Sequence, residues 1–253
     1  MSYKVPDIDY KFWHHKNKFY SDTELTKNVS TGLDHASRGG LIERYDFDSC
    51  MDLVNLIENK IRNHKAPNDH SDDEILTIFD LIQGWGGRTC RKPYVPIKNP
   101  PRIERKSEYI TAYRDAIKMI YALDEKKYTE EEINNVDNKL QEMPAVGQSY
   151  STKHLCFWSR SLPNCPNLAI FDTRMKQMFY SCNFSIAKEK LNYVEFINAL
   201  NAKAFIMGLS TYEIEAALFA FSSNYFFNDK FILKDIYEIE HLDLKIAKHL
   251  ANL

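Results

Sequence analysis

Two residue types able to do covalent and electrostatic work stand close together between residues 140 and 175. Lys153 closes the stretch Met143-Pro144-Ala145-Val146-Gly147-Gln148-Ser149-Tyr150-Ser151-Thr152-Lys153, and Asp172 follows the apolar run Leu168-Ala169-Ile170-Phe171. A lysine amine that has lost its proton is a nucleophile able to form a Schiff base, and desolvation among apolar neighbours lowers its proton affinity. A carboxylate beside a centre that gains positive charge stabilises it. Each residue has a plainer reading when taken singly. A lysine on a helix is most often solvated, and an aspartate ahead of a helix is most often a cap.

The elements that must position them can be read from the spacing. Pro144 does not continue a helix ending at Met143, and Gly147 permits a left-handed turn. Ser149, Ser151 and Thr152 can then cap a new helix over 151–161 that carries Lys153, His154, Phe157 and Trp158. The result is a hairpin between two helices. Its amides and helix N-terminus suit a phosphate, which makes Gly147, Gln148, Ser149, Ser151 and Thr152 candidate phosphate contacts. Asp172 is placed to cap a following helix over 173–182.

The rest of the chain reads as helical. Capping boxes start at Ser71 with Glu74, Thr129 with Glu132 and Ser210 with Glu213, each ahead of apolar residues at spacings of three and four. Further helices are expected over 50–64, 107–123, 187–207 and 233–251. Residues 1–45 read as irregular with one short helix. Residues 84–106 contain three Gly, four Pro and seven Lys or Arg against one Glu, the composition of a basic connector rather than a helix. The expected fold class is all-α, with two helical lobes and a cleft between them. One lobe combines 1–90 with 168–253, the connector spans 91–106, and the second lobe spans 107–167 with the hairpin.

The net charge of −2 means that any polyanion site must come from local clustering, not from the whole molecule. The five cysteines are odd in number and form no CxxC pair, so neither a disulfide framework nor a four-cysteine zinc site is expected. His14-His15 and Asp69-His70-Ser71-Asp72-Asp73 do not read as metal sites. No apolar run is long enough to span a bilayer, and the first residues lack a signal-peptide core. A cytoplasmic monomer without metal or organic cofactor is the expectation.

The segment 143–175 resembles the helix-hairpin-helix DNA glycosylases, most of all the 8-oxoguanine DNA glycosylase branch. Met143-Pro144-Ala145-Val146-Gly147 is similar to the family hairpin and Thr152-Lys153 to its nucleophile. Ile170-Phe171-Asp172-Thr173 is similar to its aspartate segment, with Asp172 nineteen residues after Lys153. Ala145 stands where the family has Gly, and Arg174 where many relatives have His. The spacing from Gly147 to Lys153 is longer than the family's by about one helical turn.

The resemblance implies double-stranded DNA as partner and removal of a damaged or modified base, with Lys153 as nucleophile and Asp172 as catalytic carboxylate. An associated lyase step through a Schiff base is implied, and no cofactor. Neither Cys156 nor Cys165 belongs to a four-cysteine cluster of the kind some relatives use for iron and sulfur, so no such cluster is expected. Because the target base must leave the duplex, a wedge and a pocket are implied. Gln83, Trp85, Arg88, Arg91 and Arg174 are the further DNA-binding candidates, and Phe157 and Trp158 the base pocket. Trp85 among glycines reads as easily as a packed loop residue, and Tyr225-Phe226-Phe227 reads as core. The base is expected to be 8-oxoguanine, or a hypermodified base of phage DNA, which would make the role defence instead of repair. The rival expectations are a non-catalytic helix-hairpin-helix DNA-binding module and an all-α protein–protein scaffold.

Overall fold

A computed structural model of the chain describes residues 3–15, 49–63, 66–86, 103–123, 128–143, 146–183 and 192–225. The fold is all-α; among the described residues there is no strand. The chain divides into two compact units, Ser21–Asn167 and Met1–Tyr20 with Leu168–Leu253.

In the unit Ser21–Asn167 the helices are α1 (Cys50–Arg62), α2 (Asp72–Trp85), α3 (Ile103–Tyr121), α4 (Glu130–Gln141) and α5 (Gln148–Ser161). Ser49 opens α1 in a reciprocal box with Asp52, and Ser71 and Thr129 open α2 and α4 with Glu74 and Glu132. Each box satisfies amides that the first turn leaves without partners. α1 is amphipathic and buries Leu53, Val54, Ile57 and Ile61 on one face. α2 is apolar nearly all round, with Ile75, Leu76, Ile78, Phe79, Leu81 and Ile82 buried. α5 is buried without interruption from Ser151 to Ser159, because α1, α2, α3 and α4 all pack against it. That enclosure takes Lys153 and His154 out of water, and it comes from the neighbours rather than from an apolar pattern in α5 itself.

Two ionic staples hold this unit. Arg114 donates to the carbonyls of Pro67 and His70, both at 2.9 Å, and to Asp72 at 2.7 Å, which pins the turn before α2 onto α3. Glu58 of α1 sits between Arg160 of α5, at 2.5 Å, and Arg62, at 2.7 Å.

In the other unit a short helical segment at 10–15 accompanies α6 (Thr173–Cys182), α7 (Tyr193–Met207) and α8 (Thr211–Tyr225). Asn192 caps α7, whose end turns at Gly208 in the left-handed region, φ 64°. Ser210 and Glu213 pair ahead of α8, as the sequence predicts. Phe171 stacks on Phe196 at 4.5 Å between centroids, and Phe179 meets Phe196 edge-on at 4.8 Å. No single helix among the described residues is long and apolar enough to cross a membrane.

Several expectations are corrected. Residues 50–85 lie in the same unit as α5, against which α1 and α2 pack. Helix α2 runs through Gly84 and Trp85, and α3 begins at Ile103, so residues 84–85 and 103–106 of the expected connector are helical. Arg88, Arg91 and the expected helix at 233–251 lie outside the described residues.

Candidate functional site

The sequence predicts a helix start at 151, but α5 starts at Gln148, with Gly147 at the cap position. Gly147 has no side chain to offer, so no side-chain cap bond forms. Ser151 and Thr152 lie inside the helix and turn their hydroxyls inward, Thr152 donating to the Gln148 carbonyl at 2.9 Å. This earlier start absorbs the long spacing between Gly147 and Lys153. The extra residues form the first turn, and Lys153 projects from the second.

Ser151 has another duty. Its hydroxyl donates to Asp137 Oδ1, while Gln141 donates to Asp137 Oδ2 at 2.8 Å. The Asp137 carboxylate on α4 is buried, and this bond ties α4 to α5. Buried acceptors carrying a full charge need such donors.

Lys153 is 6 % exposed. Its Nζ donates to the Ser149 carbonyl and approaches Ser149 Oγ, both at 3.0 Å, and lies 5.2 Å from the centroid of the Tyr150 ring. The amine is therefore folded back over the first turn of its own helix. Gly147 is exposed, and Gln148, Ser149 and Tyr150 are half-buried, so the first turn is the outward part of α5.

The next residue faces the opposite situation. His154 is fully enclosed and stacks on Phe79 at 4.8 Å, with Tyr113 edge-on at 5.1 Å. Burial, and after it the neighbouring charge of Lys153, bring its pKa down to about 3. His154 is thus neutral across the physiological range. It can neither take a proton from Lys153 nor add a second positive charge.

Its ring nitrogens join a chain of bonds: Nδ1 lies 2.7 Å from the Tyr113 hydroxyl, which accepts from Trp158 Nε1 at 2.8 Å. On the other side Nε2 lies 3.2 Å from the Gln83 amide. With the amide turned so that Gln83 Oε1 accepts from Nε2–H, Tyr113 donates into Nδ1. The buried Oε1, which otherwise has no partner, is then satisfied. Burial also raises the Tyr113 pKa well above the usual tyrosine value, so the hydroxyl keeps its proton.

Asp172 is the N-cap of α6. Oδ1 accepts from the amides of Arg174 at 2.9 Å and Met175 at 3.1 Å, leaving Oδ2 outside the cap. The preceding run Leu168–Phe171 is buried, which fixes the approach of the chain to the cap. The Arg174 guanidinium lies 5.1 Å from the Phe219 ring.

The structure divides the remaining candidates. Gln83, Ser151 and Thr152 are fully buried and engaged in the interior, so they present no surface to a phosphate. Phe157 and Trp158 are enclosed as well. Trp158 is packed edge-on to His70, and Phe157 is met edge-on by half-buried Trp85. Both rings are core of their unit and offer no open face for a base. Gly147, Gln148 and Ser149 stay at the outward end of α5, while Trp85 and Arg174 are partly accessible.

Among the described residues no three His, Cys, Asp or Glu side chains group as a metal site. Sequence reasoning passed over Tyr113, Tyr150 and Asp137. A histidine directly after the lysine, within an otherwise enclosed helix, is the signal that points to the Tyr113 network. No family model, curated protein or solved structure matches the chain.

Proposed function

We propose that the chain is a DNA glycosylase of the helix-hairpin-helix class, with Lys153 as the nucleophilic amine and Asp172 as the carboxylate partner. The observation that supports it most is the setting of Lys153. An amine held at 6 % exposure, its Nζ fixed 3.0 Å from both the carbonyl and the hydroxyl of Ser149, is largely withdrawn from water and directed along the outward first turn of α5. Asp172 adds a carboxylate whose cap bonds use one oxygen and leave the other for a cationic sugar.

In the reaction the neutral amine attacks C1′ of the target nucleotide. The C1′–N bond breaks with its electron pair leaving on the base, which is protonated as it departs. The nitrogen lone pair then forms C1′=N as the C1′–O4′ bond breaks and O4′ takes up the proton released by the amine, giving a ring-opened Schiff base from which β-elimination, with loss of the C2′ proton and the 3′-phosphate, cuts the strand. The substrate is double-stranded DNA with the target base out of the stack. 8-Oxoguanine is the first substrate to test, and a hypermodified phage base, with a role in defence, is the second.

The test is borohydride trapping on duplexes carrying 8-oxoguanine or modified pyrimidines. Wild type forms a covalent adduct and Lys153→Gln does not. Asp172→Asn, which keeps the cap, loses turnover while DNA affinity holds. If DNA binds but neither adduct nor abasic site forms on any duplex, the chain is a non-catalytic binding module. If it shows no salt-dependent DNA affinity at all, a protein–protein scaffold is the reading that remains.

A further inference from the structure

Gly86 closes α2 with φ −63° and ψ −11°, a right-handed helical conformation open to any residue. Its backbone does not require glycine. Space does. A Cβ at this position would fall well inside contact distance of Tyr150 Cε1, 3.0 Å from Tyr150 Cζ and 3.1 Å from the Gln83 carbonyl oxygen. The end of α2 therefore carries a notch, and the ring that fills it comes from the first turn of α5. The neighbouring pair repeats the contact, Trp85 meeting Phe157 edge-on at 5.2 Å.

The ring in the notch is the one that lies 5.2 Å from Lys153 Nζ. The same amine is anchored below by the carbonyl and hydroxyl of Ser149. Lysine has four rotatable side-chain bonds and a point-like charge, so its tip must be held by neighbours to be held at all. Ser149 fixes how far the amine folds back, and the Tyr150 face limits where it can swing. We propose that Gly86 and Tyr150 are positioning residues for the Lys153 amine: the absence of a side chain at 86 seats the Tyr150 ring, and the seated ring covers the ammonium. The catalytic importance of this rests on the glycosylase reading; the positioning itself does not.

The experiment reads both on the full chain. Lysine acylation by a small activated ester, followed by peptide mass spectrometry, gives the labelling rate of Lys153 relative to exposed Lys118 and half-buried Lys139 in the same sample. Tyr150→Phe keeps the ring and labels as wild type. Tyr150→Leu removes the cover, and Lys153 labels several-fold faster. Gly86→Ala dislodges the ring and gives an increase of similar size, whereas adding Gly86→Ala to Tyr150→Leu changes nothing further. Should Gly86→Ala fail to fold, the Tyr150→Phe and Tyr150→Leu pair carries the test.

Labelling of Lys153 that is the same in Tyr150→Leu as in wild type overturns the proposal. So does a folded Gly86→Ala that labels as wild type. In the trapping assay the same two variants lose roughly tenfold to a hundredfold in adduct formation at saturating DNA, with affinity unchanged, as expected of a misplaced reacting group. Altered labelling together with no wild-type adduct on any DNA removes the glycosylase reading and leaves the positioning intact.

Discussion

In the unit that holds Lys153, the buried rings carry polar atoms that are joined to one another: Trp158 to Tyr113, Tyr113 to His154 and His154 to Gln83. In the unit that holds Asp172, Phe171 stacks on Phe196 and Phe179 meets it edge-on, with no polar atoms on the three rings. The Tyr193 hydroxyl there leaves the cluster for the Ala169 carbonyl at 2.9 Å. The first arrangement fixes directions, since each hydrogen bond fails if a helix rotates. The second only fills space. The bonded chain holds the helix that carries Lys153 in one orientation, whereas the half-exposed cap at Asp172 rests on packing alone.

The largest expected effect breaks both cores at once. Trp158→Ala and Phe196→Ala each cost about 3–5 kcal/mol in chemical unfolding followed by circular dichroism. Equal losses mean that ring burial dominates in both units; a clearly larger loss for Trp158 means that the bonded chain adds to it.

Removing one hydroxyl isolates that contribution. Tyr113→Phe strands Trp158 Nε1 and a histidine nitrogen inside the core and costs about 1–3 kcal/mol, whereas Tyr193→Phe costs about 0.5–1.5 kcal/mol. Similar values for the two would sink the contrast.

The pH dependence separates the units further. His154 stays neutral when folded down to about pH 3, but takes up a proton near pH 6.5 when unfolded. Its contribution is present above the unfolded value and is lost as the pH falls from about 6.5 towards about 3. The slope from this one group is about 1.4 kcal/mol per pH unit. Unfolding midpoints of wild type and His154→Phe measured across that window should converge towards the acid end.

The smallest effect is at the cap. Asp172→Ala costs about 1 kcal/mol, and Asp172→Asn only a few tenths, because either side chain can accept from the first-turn amides. The Asn variant thus separates the cap from the charge.

Much of the helical framework was legible because its signals are local. Ser71 with Glu74, Thr129 with Glu132 and Ser210 with Glu213 each span one turn, and each forms as expected. Asp172 as a cap belongs to the same class. The start of α5 was misread for a related reason. Ser149, Ser151 and Thr152 are good caps, yet Ser151 is claimed by Asp137 and Thr152 by a carbonyl of its own helix. What the sequence hides is long-range. Nothing near Glu58 announces Arg160, nothing near Gly86 announces Tyr150, and the packing of α1 and α2 against α5 depends on faces that several partners could cover equally well. The two candidate residues belong with the local signals: Lys153 meets Ser149 and Tyr150 of its own helix, and Asp172 the amides of Arg174 and Met175.

The chain enters one unit at its first residues and returns to it only after the other has been made. Lys4 and Asn183 exchange bonds across 179 positions, N–H to Oδ1 at 2.7 Å and Nδ2–H to the Lys4 carbonyl at 3.0 Å, and Lys203 reaches Asp7 at 3.0 Å. On the ribosome, Ser21–Asn167 is complete while the first strand of contacts for Tyr3, Trp13 and Asp7 does not yet exist. The segment ahead of it must wait, with Trp13 and Tyr10 exposed, until α6, α7 and α8 emerge. Closing so long a loop adds little to the equilibrium cost, which grows only with the logarithm of length, but it sets the order of events. Folding of the Lys153 unit should therefore precede that of the Asp172 unit in a nascent chain. A synthesis stalled between them leaves the amine's surroundings built and the carboxylate's cap unformed.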